Sequence, residues 1–144
     1  MRLLPFFLAA LAGSAMALQG AFNTAAGKVI GDAENTLIVH VVGAVVIALL
    51  LLFGVGRGDF SKFNQIPWYG YLGGLLSAVI IFAVIFSMSR LGVAGATAVI
   101  ILFQISMAFL IVSFGLFNAE RVPFAWTRLL GIALLIAGTR LVTR

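Results

Sequence analysis

Five long apolar stretches follow one another along the chain, and short polar segments separate them. The stretches cover residues 3–22, 36–56, 68–89, 92–117 and 124–142. A helix needs roughly 20 apolar residues to cross a hydrocarbon core of about 30 Å, and each stretch is long enough. The pattern therefore predicts an all-α transmembrane protein, a five-helix bundle that forms a single transmembrane domain over all 144 residues.

The segments that connect these stretches differ in length. The polar segment 23–35 predicts a loop between the first two helices, whereas only Arg90 and Leu91 separate the third helix from the fourth. Residues 118–123 are turn-like and end in Pro123, which suits the first turn of a helix. All four acidic residues fall in the predicted loops, so we expect no carboxylate at mid-membrane depth.

The amino-terminal segment allows two interpretations. Met1 and Arg2, the apolar run after them and the small side chains of residues 15–17 are similar to a secretory signal with its cleavage site. The segment continues, however, into the polar residues Gln19 and Asn23, which a discarded peptide would not need. We therefore expect this segment to be a retained transmembrane helix.

The composition excludes a water-soluble fold. Hydrophobic residues make up 63% of the chain and charged residues 9%, whereas soluble domains average roughly 45–50% and 25%. The chain has no cysteine, which excludes disulfides, thiolate metal sites and cysteine nucleophiles. The sequence contains no nucleotide-binding loop, metal-ligand cluster or catalytic motif, so we expect no enzyme, no cofactor and no metal site.

The formal net charge is +5, but the nine basic residues lie singly near the ends of the stretches. This distribution suits the headgroups of a lipid bilayer rather than nucleic acid. With five crossings, one face collects five basic residues and the other four, so the bias that normally fixes orientation is nearly absent. The first face carries Arg2, Arg57, Lys62, Arg121 and Arg128, and the second carries Lys28, Arg90, Arg140 and Arg144.

Two explanations of this charge balance remain open. One is a misplaced helix boundary, or a partner protein that sets the topology. The other is an antiparallel homodimer, because an odd number of crossings lets a reversed second copy supply an inverted half. Such a dimer would place ten helices around one substrate site.

Five polar side chains inside the apolar stretches are candidate substrate-binding groups, because polar groups in a membrane need partners or a cavity. Gln19 and Asn23 lie four residues apart on one face of the first helix, where bonding between helices explains them equally well. Thr97 and Gln104 share a face of the fourth helix, and Gln104 lies near its midpoint, where an unpaired amide is costly. His40, near the start of the second helix, is the fifth.

His40 and Arg128 each allow a charged role. Protonation of a histidine can couple proton movement to transport, and the alternative for His40 is a simple hydrogen bond near the membrane surface. Arg128 lies about one turn inside the fifth helix, so its long side chain can reach the surface. Contact with an anionic substrate is the alternative for Arg128.

Small residues predict close helix packing on the third and fifth helices. Gly70 and Gly74 have the GxxxG spacing that lets two helix backbones approach each other. The predicted packing residues are Gly70, Gly73, Gly74, Ser77, Gly131 and Gly138.

A series of short motifs carries a resemblance to a known family. The motifs are Gln19-x-x-x-Asn23, Pro67-Trp68, Gly73-Gly74, Arg90-Leu91-Gly92-Val93-Ala94, Gln104, Gly115-Leu116-Phe117, Arg128-Leu129-Leu130-Gly131 and Gly138. In this order, and over essentially the whole chain, they resemble the short five-helix family of bacterial inner-membrane proteins in the drug/metabolite transporter (DMT) superfamily.

The resemblance implies that the chain is half of a ten-helix DMT-type transporter. An antiparallel homodimer, a heterodimer with a related chain or a fused duplicate would complete it. The family commonly carries an acidic residue in the fourth helix at the position that Ser113 holds here. A proton-coupling carboxylate is therefore not carried over to this chain.

The sequence as a whole predicts a small-molecule transporter or exporter, of the drug or metabolite type, that works as an inverted dimer. The expected location is the bacterial inner membrane, which the chain crosses several times. One alternative is a passive channel for ions or small solutes, since small proteins that insert both ways can form pores. The other is a subunit of a larger membrane complex that transports nothing.

Overall fold

A computed structural model describes residues 3–123 and 125–144 of the chain. Within these residues the protein is helical and contains no strand. The α-helices are α1 (Leu3–Ile30), α2 (Asp32–Leu52), α3 (Leu72–Phe114) and α4 (Trp126–Val142).

Three segments of the described chain are long and apolar enough to cross a membrane. They are Leu3–Ile30, Asp32–Leu52 and Trp68–Phe114. Most large apolar side chains on them are exposed, because lipid tails solvate such side chains as well as a protein core does. The fold is therefore of the all-α membrane class.

The predicted loop over residues 23–35 is wrong, because this segment is helical except at Gly31. Gly31 has φ 100° and ψ 148°, a conformation that favours glycine, and this one residue joins α1 to α2. Polar residues are accommodated in both helices, since the hydroxyls of Thr24 and Thr36 are satisfied by the carbonyls four residues earlier.

Two of the acidic residues are also placed differently from the prediction. Asp32 and Glu34 lie in the first turn of α2 rather than in a loop. Carboxylates stabilise the amino-terminal end of a helix, and Lys28 in the last turn of α1 similarly suits a carboxyl-terminal end. The short connection is thus built from complementary helix ends on either side of Gly31.

The chain forms two compact units, one up to Phe86 and one from Ser87 to Arg144. In the first unit, α1 packs so closely on α3 that a Cβ added at Gly27 would lie 3.0 Å from Cγ2 of Ile85. Ile85 is fully buried there. In the second unit the most buried apolar side chains are Met88 and Ala96.

The segment between α2 and α3 contains two short 3₁₀ turns, Phe60–Gln65 and Trp68–Tyr71. The second helix therefore ends at Leu52, four residues earlier than predicted. Asp59 caps the first turn by accepting a hydrogen bond of 2.9 Å from the backbone N–H of Ser61. Hydrogen bonds from the side chain and then the backbone of Ser61 hold the pKa of Asp59 below its ordinary value.

The long helix α3 is interrupted at Gly92, where φ is 75° and ψ is 164°. This conformation is nearly exclusive to glycine, and it separates helical residues 72–91 from helical residues 93–114. The interruption lies directly after Arg90 and Leu91, the predicted connection between the third and fourth helices.

Both ends of the connection to α4 differ from the predicted boundaries. α3 ends at Phe114 and a 3₁₀ turn, Leu116–Asn118, follows it. The loop then folds back along α3, because the N–H of Val122 donates to the carbonyl of Val112 over 3.0 Å. α4 begins at Trp126, and the predicted start of the fifth helix at residue 124 lies outside the described residues.

Candidate functional site

His40 holds hydrogen bonds through both nitrogens of its ring. Nδ1 lies 2.8 Å from the carbonyl oxygen of Thr36, one turn earlier in α2, and Nε2 lies 3.0 Å from Oγ of Ser77 in α3. A carbonyl oxygen only accepts, so Nδ1 carries the proton and, in the neutral ring, Nε2 accepts from the Ser77 hydroxyl. The imidazole therefore links α2 to α3 within the first unit.

Asn35 is the most buried polar side chain described, at 4% exposure. Its side-chain amide donates to the backbone carbonyl of Asn23 over 3.0 Å and so links α2 to α1. Thr36, which holds His40, is the next residue in α2. We call His40, Ser77, Asn35 and Thr36 the His40 cluster.

A groove of about 390 Å³ lies beside the His40 cluster. Thr36 and Ala78, neighbours of the His40 hydrogen bonds, contribute to its wall, and Phe82 supplies an aromatic face. The cluster offers neutral hydrogen-bonding groups and one imidazole, next to apolar walls. This arrangement can bind a small molecule that carries both a polar group and an apolar body.

The sequence offers His40 as a candidate but does not indicate its partners. The pattern places Asn35 in the predicted loop and Thr36 at the start of the second helix, and it gives Ser77 only a role in helix packing. Ser77 and His40 are 37 residues apart, and no spacing in the sequence connects them. The signal for Asn35 was available, because Gly31 followed by Asp32 is typical of one helix ending and another beginning.

The two predicted amides of the first helix are placed differently from one another. Asn23 is half-buried, and its backbone carbonyl, not its side chain, takes part in the bond to Asn35. Gln19 is exposed and makes no hydrogen bond with any described residue. The structure therefore brings Asn23 to the edge of the His40 cluster and leaves Gln19 outside it.

Thr97 and Gln104 lie in the second compact unit. The hydroxyl of Thr97 is buried, and so is that of Ser113, and neither has a hydrogen-bond partner among the described residues. Gln104 is exposed near the middle of residues 93–114 and is likewise without a hydrogen bond to the described chain.

Arg128 lies in the first turn of α4 and is half-buried. Its guanidinium carbon is 6.0 Å from the centre of the Phe109 ring, a cation–π distance. The two side chains line an apolar groove of about 570 Å³ between residues 105–112 and α4. The Phe109 ring is thus the observed neighbour of the Arg128 charge, and the reach of this side chain to the membrane surface stays a prediction.

Most glycines predicted to pack helices together face open space within the described chain. A Cβ added at Gly73, Gly74, Gly131 or Gly138 would meet no atom within 4 Å. At Gly70 it would lie 2.7 Å from Cγ2 of Ile66. The role of these glycines in packing between helices therefore stays a prediction, and the open faces are available to lipid or to another chain.

Residues 4–141 match the model of a family described as "Putative inner membrane exporter, YdcZ". This match covers nearly the whole chain. Neither the curated proteins nor the solved structures contain a match.

Proposed function

The chain belongs to the DMT_YdcZ family of the inner membrane, and from this membership we propose that it exports a small molecule as a dimer of two oppositely oriented copies. Membership places it among membrane transporters and exporters in general terms. The dimer, the number of crossings and the substrate site are the finer parts of the proposal.

Five crossings account best for the helices of the described chain. Besides α1 and α2, the two parts of α3 on either side of Gly92 each have about 20 residues, the length that spans a hydrocarbon core. The 17 residues of α4 rise about 26 Å, which approaches the same thickness. Because the number of crossings is odd, a second copy inserted upside down supplies an inverted half, whose helices run in the opposite direction.

The exposed amide of Gln104 is the observation that carries the proposed dimer. An amide that faces hydrocarbon without a hydrogen bond costs several kcal/mol, at least about 2. Gln104 lies at the midpoint of its crossing, where lipid offers no partner. A second copy that covers this face supplies the missing hydrogen bonds, and the even distribution of basic residues lets that copy insert upside down.

The His40 cluster is the proposed substrate site, and His40 is the proposed coupling group. Position 113 holds a serine, and no described carboxylate lies deep within a crossing, so the imidazole is the titratable group available there. A proton on Nε2 removes the acceptor that the Ser77 hydroxyl uses. Protonation of His40 therefore changes the link between α2 and α3, next to the groove.

Proteoliposomes test this proposal directly. Vesicles loaded with a mixture of metabolites, under an imposed pH gradient, are expected to lose one chemical class of compound faster than vesicles without protein. Mass spectrometry of the external solution identifies that class. His40→Gln is expected to abolish the dependence of efflux on the gradient, whereas Lys62→Gln, an exposed loop substitution, is expected to leave it unchanged.

Efflux that ignores the pH gradient in the unmodified protein would remove His40 as the coupling group. Absence of efflux for every compound, with the protein folded and inserted, would contradict the export function itself.

A further inference from the structure

Two adjoining grooves run along one side of α4 in the second unit. The first, of about 570 Å³, begins at Arg128, and the second, of about 430 Å³, ends at Val142. They share the lining residues Gly131 and Leu135, so they adjoin along the helix, and we call the two together the α4 groove. Apart from Arg128 at one end and Thr139 near the other, its lining residues are apolar.

The α4 groove has an unneutralised positive charge at one end. The guanidinium of Arg128 contacts the Phe109 ring and forms no ion pair with any described residue. Arg121 in the preceding loop adds a second positive charge to this end of the unit, and its Nε donates to the carbonyl of Ser113. Glu120 is exposed and does not line the groove.

The charged end of the groove lies at the level of the lipid headgroups. Arg128 follows a polar loop and is two residues from Trp126, which is 78% exposed, as expected of aromatic side chains at a membrane surface. From Arg128 to Val142, α4 rises about 21 Å, and one leaflet of the hydrocarbon core is about 15 Å thick. The groove therefore runs from the headgroups past the end of one leaflet.

We propose that the α4 groove binds an anionic phospholipid, with its phosphate on Arg128 and one acyl chain lying over Gly131. The charge at headgroup depth favours a phosphate, and the apolar walls favour a hydrocarbon chain. A transported substrate would instead be bound near the midplane. An inverted copy seated in the α4 groove would bring its Arg140 and Arg144 to the level of Arg128. That repulsion disfavours a second copy as the occupant of this groove.

Gly131 makes the acyl part of the site possible. A Cβ at this position would meet no protein atom, so a larger side chain would extend into the groove and fill the space of the acyl chain. This gives a way to block the acyl chain while Arg128 stays in place.

Native mass spectrometry of the purified full-length chain tests the proposal. The protein is presented with phosphatidylglycerol and phosphatidylethanolamine that have identical acyl chains. We expect the unmodified protein to retain one phosphatidylglycerol with a preference of about fivefold over phosphatidylethanolamine. This is the contribution of one arginine near a membrane surface. Arg128→Gln is expected to reduce the preference to near one, and Arg140→Gln, the same change at the other end of α4, to preserve it.

Gly131→Leu is expected to lower the retained amount of both lipids at least several-fold. Gly13→Leu, at a glycine of α1 that also faces open space, is expected to retain both lipids. Equal retention of the two lipids by the unmodified protein would overturn the proposal, as would a preference that survives Arg128→Gln. Full displacement by millimolar inorganic phosphate would overturn it in favour of a free-anion site. Loss of dimers in Gly131→Leu without loss of lipid would overturn it in favour of a second copy.

These measurements need no transport. Failure of lipid binding therefore leaves the proposed export function unaffected, and failure of export leaves the lipid site unaffected.

Discussion

Asn35 is buried in the first turn of α2, and its side chain donates to a backbone carbonyl of α1. A buried side-chain amide that makes such a bond fixes how two helices meet, because leaving either group unpaired costs about 1–3 kcal/mol. The bond uses the backbone of Asn23, so the identity of the Asn23 side chain is not needed for it. The two asparagines are therefore expected to respond differently to the same substitution.

Asn35→Asp is expected to destabilise the protein by about 3 kcal/mol at neutral pH, because it buries an unpaired carboxylate against a carbonyl oxygen. The loss is expected to shrink as the pH falls, since the protonated carboxyl group donates to the same carbonyl. Unfolding in mixed micelles with increasing SDS, at several pH values, measures the free energy.

Asn23→Asp is the matched control and is expected to cost less than half as much, because its backbone carbonyl remains available to Asn35. Equal losses for the two variants, or a loss that grows at low pH, would contradict the hydrogen bond as described.

Glycines with positive φ set the breaks between helical segments. The sequence predicted the break at residues 90–91 because a charged residue interrupts an apolar run there, and the structure has it at Gly92. It did not predict the single-residue junction at Gly31, because a run of polar residues in a membrane protein is typical of a loop. The helices accommodate that run because the threonine hydroxyls bond to carbonyls of their own helix, which hydropathy does not reveal.

Gly92→Ala is expected to lower stability by about 1–3 kcal/mol, since its φ and ψ lie in a region that side chains with a Cβ avoid. No neighbouring atom lies within 4 Å of the added Cβ, so the cost comes from the backbone alone. The same unfolding assay measures it.

Gly13→Ala serves as the comparison, because it lies in regular helix and also in open space. There alanine is expected to be neutral or to stabilise by up to about 1 kcal/mol. A Gly92→Ala variant as stable as Gly13→Ala would show that the helix continues through residue 92.

For the chain as a whole, composition and hydropathy predict the all-α membrane class. The contacts of the candidate residues could be predicted less well. The sequence offers His40 as a candidate, but neither its bond to Ser77 nor the bond that Asn35 makes, because contacts between helices depend on how each helix is rotated about its axis. Helices that are apolar all around give no periodic pattern from which that rotation can be inferred.

Cross-linking at Gln104 tests whether a second copy covers this face of the chain. The chain has no cysteine, so Gln104→Cys is a single-cysteine protein. In an inverted dimer the two midpoint residues lie at the same depth, and we expect efficient disulfide cross-linking of two copies in membranes. Phe103→Cys, about 100° away around the helix, is also exposed and is expected to cross-link several-fold less.

Equal cross-linking at positions 103 and 104 would indicate random collision rather than a defined interface. Monomers alone in the Gln104→Cys variant would remove the assignment of Gln104 to a face that a second copy covers.

The orientation of the chain in cells is the decisive test of a dimer of oppositely oriented copies. Reporters fused after Arg144, one active only in the cytoplasm and one only outside the inner membrane, report where the carboxyl terminus lies. We expect comparable signals from both reporters, and a shift towards one side when Lys28 and Arg90 are replaced by alanine, because that change creates a charge bias. Signal from one side only in the unmodified protein would contradict the homodimer of inverted copies and would require a partner chain of opposite orientation.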